Sequence, residues 1–314
     1  MKPNLAASFD AVLPDTAWGS LLRHVAARWP EHREFLARST GIASDATRET
    51  AQRIAPLIAR LVGDDWDTSV EGYRWMCEMC LAEELVFRRT GNYRYSRFDD
   101  VRAVVYDDAD VMAKYMNGLL LSQAVWPNHL AICDFYLRRF IERLEPSSRH
   151  LEVGPGHGLL LFLAAERLRA DVAGWDVSAT SLKKTEACLR ALGTTRPLLL
   201  EQRDIFAPTR PTDEARFDSL VLSEILEHLE RPADALAFAR RVLKPRGRLF
   251  VNAPINSPTV DHIWLFRTPE ELIELVKDAG FEVEETRLAP VSDHPEARAR
   301  KLGLGISVAV IARA

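Results

Sequence analysis

Cysteine is scarce in this chain, with four in 314 residues, at positions 77, 80, 133 and 188. Scattered thiols of that number give no disulfide framework, and Cys77-x-x-Cys80 has no second pair to complete a tetrahedral metal site. They are expected to be reduced core thiols in a cytoplasmic protein. An excess of charge of one sign is also lacking: 41 Lys and Arg stand against 45 Asp and Glu, a net charge of −4. Such a balance offers no basic footprint for a phosphate backbone, so nucleic acid is not an expected partner. Long apolar runs are absent as well. The longest uncharged stretch, 115–133, contains Asn117, Ser122, Gln123, Pro127, Asn128 and His129, too many polar groups to cross a bilayer. Lys2, Asp10 and Asp15 precede any long apolar segment, so neither a secretory leader nor a membrane partner is expected. No internal repeat or low-complexity tract appears. What is present is ordinary globular composition, 47% hydrophobic and 27% charged, and a length that suggests one α/β domain with a second module.

The stretch that organises the rest is Leu151-Glu152-Val153-Gly154-Pro155-Gly156-His157-Gly158, followed by Gly174-Trp175-Asp176-Val177-Ser178. A short apolar-leaning run, 149–153, can be a buried strand, and 159–168 carries apolar residues at helical spacing. The glycines therefore sit on a strand-to-helix turn. Without a Cβ, Gly154, Gly156 and Gly158 allow positive φ and let a ligand lie against the main chain. Asp176 falls at the end of the next strand, where a carboxylate can accept both hydroxyl hydrogens of a ribose. The order Glu-x-Gly-x-Gly-x-Gly is not the Gly-x-Gly-x-x-Gly that seats a pyrophosphate on a helix N-terminus, which disfavours a nicotinamide cofactor.

This pattern resembles the first two motifs of class I S-adenosylmethionine-dependent methyltransferases. The resemblance implies a doubly wound, seven-stranded Rossmann-like sheet over about 146–314, behind an N-terminal helical domain. It implies S-adenosylmethionine as cofactor, held by Glu152, Gly154, Gly156, Gly158 and Asp176, with Asp204 near the adenine and Phe206 covering the ring. It also implies that the segment before the first strand folds over the cofactor, placing Tyr115, Trp126 and His129 at the pocket.

Residues 1–110 read as mostly helical, with apolar positions spaced by three and four, and are expected to form a substrate-binding lid domain. Thr90-Gly91-Asn92 is a helix stop. The basic, aromatic loop Tyr93, Arg94, Tyr95, Arg97 and Phe98 is either a solvated connector or a lid whose arginines meet an anionic substrate. Residues 111–145 form connecting helices, the second starting at Pro127 and expected to run to Glu145. Strands follow at 172–175, 198–200, 217–223 and 248–253, and 281–288 with 305–313 form a closing antiparallel pair. Thr268-Pro269-Glu270-Glu271 places a capping threonine, a first-turn proline and a capping-box glutamate in the favoured order.

A second constellation follows the fourth strand, in Ser223-Glu224-Ile225-Leu226-Glu227-His228. Helical spacing would put Glu224, Glu227 and His228 on one face. After the fifth strand comes Asn252 to His262, and ligands in doubly wound sheets bind outside the carboxyl ends of such neighbouring strands. Two carboxylates and two imidazoles, Glu224, Glu227, His228 and His262, suit a divalent cation. His228, His262 and His157 are the candidate catalytic histidines, and Asp261 could orient His262. The set resembles metal-dependent members of the family, namely α-keto-acid C-methyltransferases, small-RNA 2′-O-methyltransferases and, to a lesser degree, ubiquinone-pathway O-methyltransferases. The first expectation is C-methylation at the β-carbon of a 2-oxo acid in natural-product biosynthesis. O-methylation of a small-molecule hydroxyl, or of an RNA terminus, is the alternative, and a noncatalytic nucleoside-binding scaffold is the reading of another class. The expected partners are a small-molecule substrate and, as the one self-association left open, a second copy in a homodimer.

Overall fold

The computed structural model describes residues 13, 15–291 and 294–314; Lys2 and Asp10 lie outside the described residues. Seven strands form one sheet: β1 (His150–Val153), β2 (Val172–Asp176), β3 (Leu199–Gln202), β4 (Phe217–Ser223), β5 (Leu243–Ile255), β6 (Glu282–Pro290) and β7 (Ile306–Arg313). Their order is β3-β2-β1-β4-β5-β7-β6. The first five are parallel, and β7 runs antiparallel to both β5 and β6. This is the Rossmann-like sheet that the glycine turn implies. β5 is longer than expected because the pairing extends back through the Lys244–Gly247 turn, where Arg246 takes a φ of 65°.

Alternation along the central strands sends side chains to two apolar layers. Val221, Phe250, Ala309 and Ile311 face the layer that also contains Trp18, Ile54, Tyr73, Leu121, Tyr136 and Phe140 of the N-terminal half. Their neighbours Leu220, Leu222, Leu249, Val251 and Val310 face Phe238, Phe266 and Leu272. One apolar layer thus joins the N-terminal helices to the sheet, and the indole of Trp18 donates to the Ala124 carbonyl at 2.8 Å within it.

The helices of that half are α1 (Ala17–Arg28), α2 (Arg33–Ile42), α3 (Asp45–Val62), α4 (Trp66–Thr90), α5 (Phe98–Val101), α6 (Ala109–Val125) and α7 (Pro127–Phe135). Their ends follow the chemistry of the sequence. The side chains of Thr16, Ser44 and Asp65 accept N–H bonds two or three residues into α1, α3 and α4, and Gly91 closes α4 at a φ of 70°. Pro127 opens α7 as expected, but the helix stops at Phe135, well short of Glu145. A π-helical turn, Tyr136–Phe140, and a 3-10 turn, Ile141–Arg143, replace its end. The wider turn lets the rings of Tyr136 and Phe140 both reach Phe250, at 5.2 and 5.5 Å. Thr268 caps its helix by accepting from Glu271 N–H, while the Glu271 carboxylate accepts from Arg267 N–H, one residue before the usual box partner.

Candidate active site

Register places the glycine turn and Asp176 at one end of the sheet. Val153 pairs with Trp175 on one side and with Leu222 on the other, so the chain leaves β1, β2 and β4 at the same edge. Gly154, Gly156 and Gly158 all have positive φ, at 65°, 51° and 71°. A Cβ on Gly154 would stand 2.3 Å from the Ile225 Cδ1, whereas one on Gly156 would meet nothing within 4 Å. The first glycine is therefore required mainly by its φ, since the end of Ile225 can shift, and the second leaves its side open. Glu152 is buried, its Oε2 has no partner, and burial pushes its carboxyl up to about 8.

His157 accepts the Leu159 N–H at its Nδ1 at 3.2 Å, which puts its proton on Nε2. Burial pushes it down to about 4, so it is a neutral donor. His129, next to Ser122 Oγ at 3.0 Å and under the rings of Trp126, is pushed to about 4 for the same reason. Asp176 accepts the Ser178 N–H at 2.7 Å, and burial raises its carboxyl above the ordinary range. Asp204 and Phe206 sit exposed on a loop, Asp204 accepting the Phe206 N–H and the Arg231 guanidinium lying 5.2 Å from the Phe206 ring. The Tyr115 hydroxyl is engaged with Asp261: the residue is 5% exposed and donates at 2.9 Å, while Trp126 donates to Tyr73 inside the helical half.

The carboxyl ends of β4 and β5 carry the second cluster. Ser223 pairs with Asn252, and the chain then turns at Glu224, whose φ is 53°. The expected helical face is reduced to one 3-10 turn, Leu226–His228. Even so, one atom each of Glu227, His228 and His262 lies within 4.8 Å of the others. Glu224 stands beside this triad rather than in it: its Oε1 accepts from Asn252 Nδ2 at 2.5 Å. Both histidines have a determined tautomer. His262 Nδ1 faces the Ser257 carbonyl at 2.7 Å, and His228 Nδ1 faces the Asp261 carbonyl at 3.0 Å with the Asp261 carboxylate at 3.5 Å. Acceptors alone surround each Nδ1, so each Nδ1 is a donor and each Nε2 is the nitrogen left for the triad.

Glu227 is fully buried, and neither of its oxygens accepts an N–H or O–H from the protein. Burial and the adjoining Glu224 push it well above the ordinary carboxylate range. Burial also raises Glu224, to about 7, against the opposing pull of Glu227 hydrogen bonding, His228 and Asn252. Two carboxyl groups this close and this dry hold a shared proton or a cation. Asp261 differs. It is 2% exposed yet its carboxyl lies below the ordinary range: burial alone would raise it, but His228, His262, Thr259 and Tyr115 favour its charge. It accepts from Thr259 at 2.7 Å, Tyr115 at 2.9 Å and Tyr106 at 3.2 Å.

Sequence reading missed Asn252, Thr259 and Tyr106 as parts of the site. Asn252 could have been found by setting β4 against β5 in register. Tyr106 carries no local signal, because it belongs to a π-helical turn, Arg102–Tyr106, in the helical half. The basic, aromatic loop divides in two. Tyr93 reaches the site, its hydroxyl accepting the Ser257 N–H at 3.1 Å and its ring 5.8 Å from His262. Arg94 is paired with the buried Glu83, its Nε–H shared between the two carboxylate oxygens at 2.9 and 3.0 Å and its Nη2 2.9 Å from Oε1.

Residues 151–251 match the family described as methyltransferase domain. With the sheet order, that match makes this part of the chain a Rossmann-like methyltransferase fold. Among curated proteins, the chain is 29% identical over 153 residues to a ubiquinone biosynthesis O-methyltransferase of Roseobacter denitrificans, covering 43% of this chain and 60% of that one. It is 30% identical over 154 residues to the same-named protein of Thiobacillus denitrificans, covering 43% of this chain and 65% of that one. The chain thus spans under two thirds of the length of these relatives. A solved S-adenosylmethionine dependent methyltransferase from Mesorhizobium loti is 17% identical, with a TM-score of 0.43, covering 57% of this chain and 95% of that one. Among the described residues no helix is long and apolar enough to cross a membrane.

Proposed function

We propose that this protein moves a methyl group from S-adenosylmethionine to a hydroxyl oxygen of a small molecule, at a site built to hold a divalent cation. The glycine cradle, the partnerless Glu152 oxygen and Asp176 suit an adenosyl donor. The triad suits a cation, since two imidazole lone pairs and one buried carboxylate converge with no protein donor to satisfy them. That unsatisfied Glu227 is the observation that carries the reading. When bound, the donor supplies an electrophilic methyl on a sulfonium and the cation supplies Lewis acidity that favours a deprotonated acceptor.

The chain's own residues do the rest. Asp176 stands where it can take the ribose hydroxyls, Glu152 is placed beside the glycine turn, and the Tyr93 ring walls the triad next to His262. His228 Nε2, His262 Nε2 and the Glu227 carboxylate are the atoms able to receive the acceptor's proton. The N-terminal half reaches this edge through Tyr93, Tyr106 and Tyr115, and displacement of water by them strengthens the polar interactions there. Motifs alone put the β-carbon of a 2-oxo acid first. The names of the curated relatives favour oxygen, and a hydroxyl acceptor needs only the deprotonation that this triad offers.

The test is a screen of catechols, quinols and 2-oxo acids with labelled donor, on protein stripped by chelator and then reloaded with magnesium, manganese, iron, cobalt or zinc. Label transferred to a hydroxyl and dependent on a cation is expected. Label on carbon would return the 2-oxo acid to first place, and full activity of the stripped protein with an unchanged His262→Ala variant would remove the cation.

A further inference from the structure

Asp261 lies beside the triad and outside it, and two of its three side-chain partners come from the other half of the chain. Thr259 is local. Tyr106, on the π-helical turn, and Tyr115, on α6, reach it across 155 and 146 positions. The carboxyl is buried, and a buried polar group costs free energy unless hydrogen bonds compensate. Its backbone carbonyl is what His228 Nδ1 donates to, and its Oδ2 is the next nearest acceptor. The same loop is held to the 3-10 turn by Ile263 N–H and Trp264 N–H, both donating to the Glu227 carbonyl at 2.9 Å.

We propose that Asp261 is a positioning residue that fixes the tautomer and aim of His228, and that the N-terminal helices complete the site by supplying Tyr106 and Tyr115 to hold it. The sheet alone gives the Asp261 carboxylate one side-chain donor. With only Thr259, the buried carboxyl lacks two of its hydrogen bonds, and the residues before Ile263 can shift toward other donors, carrying the Asp261 carbonyl away from His228. His262 does not depend on this arrangement, because Ser257 holds it and Tyr93 anchors Ser257. The two histidines should therefore respond differently to loss of the two hydroxyls. Phenylalanine keeps the rings and their packing, so the hydroxyls are tested separately from the core.

The proposal rests on the reading of the triad as the reactive centre, and the test has a readout that does not. Long-range 1H–15N spectra of protein labelled at histidine report the tautomer of each imidazole without cation, donor or activity. Wild type, Tyr106→Phe, Tyr115→Phe and the double variant are compared with Tyr136→Phe, which loses a buried hydroxyl donating to the Leu160 carbonyl elsewhere. Expected is an Nδ1–H signal for His228 in wild type and in the control, moving toward a mixture of tautomers in the variants, most in the double, while His262 stays in place. In methyl-transfer assays kcat should fall about 10- to 100-fold in the double variant, the range found when partners of an active-site ligand are removed, with KM for the donor within about threefold. His228 unchanged in a folded double variant overturns the proposal, as does a joint shift of His228 and His262, which would mean general loosening. If the double variant does not fold, the single variants decide by the same criterion. Absence of methyl transfer by wild type would remove the proposed function while leaving the tautomer result to judge Asp261.

Discussion

Replacing Glu227 by glutamine separates stability from function in opposite directions. In the absence of a cation the wild-type carboxyl is fully buried, unbonded to any protein donor and beside Glu224, all of which favour its protonated form. Its folded-state pKa is raised above the unfolded one, and the folded state then binds more protons than the unfolded one. Stability therefore falls as pH rises above the ordinary glutamate range. Each pH unit over which the proton must be kept costs at most about 1.4 kcal/mol, so the penalty at pH 7 reaches about 3 kcal/mol as an upper bound. Glutamine removes it, and its amide can donate to Glu224 where the acid needed a proton. The assay is thermal unfolding of chelated protein at pH 5, 6, 7 and 8. Glu227→Gln should match wild type at pH 5 and exceed it by about 2 to 6 °C at pH 7 to 8. Adding a divalent cation should raise the wild-type midpoint and leave the variant where it was. Methyl transfer should fall about a hundredfold or more, as expected when a proton acceptor or ligand is lost. A variant less stable than wild type at pH 8 without cation would refute the reasoning, since Glu227 would then be holding the fold rather than waiting for a ligand.

Asp176→Ala should weaken adenosyl binding by roughly 1.5–3 kcal/mol, the worth of a hydrogen bond to a charged group; calorimetry with S-adenosylhomocysteine measures it, and unchanged affinity would move the ribose elsewhere. Gly154→Val combines a β-branched side chain at a φ of 65° with a Cβ 2.3 Å from Ile225. It should abolish donor binding in the same titration while far-ultraviolet circular dichroism keeps the wild-type signature. Phe250→Ala removes a fully buried ring that touches Phe135, Tyr136 and Phe140, and should cost about 3–5 kcal/mol in urea unfolding. A loss under 1 kcal/mol there would mean that the N-terminal helices do not fold against the sheet.

Local chemistry was legible wherever neighbours in sequence are neighbours in space. The glycine turn, the N-cap at Thr268, the stop at Gly91 and the start at Pro127 are decided within four residues, and the structure keeps each of them. The end of the Pro127 helix was not legible, because the turn that replaces it answers to Phe250, which lies more than a hundred positions away. Glu224 was read as an equal of Glu227 from spacing, but spacing assumes a helix. A positive φ at Glu224 and a hydrogen bond from Asn252 on the next strand put it beside the triad. For Arg94, short-range pattern leaves a solvated connector and a substrate contact both open, because its partner Glu83 is a buried acid that no local pattern announces.

The sequence by itself determined the sheet, the donor turn and the identity of Glu227, His228 and His262, because strand periodicity, backbone permission at glycine and ligand type are properties of short stretches. Only the tertiary structure decided which atoms of those side chains are unsatisfied. Ser257 and Asp261 take the Nδ1 protons of the histidines, Tyr106 and Tyr115 hold Asp261 from across the chain, and no donor reaches Glu227. A hydrogen bond depends on atoms meeting within about 3 Å, and that meeting is set by packing between elements far apart in the chain.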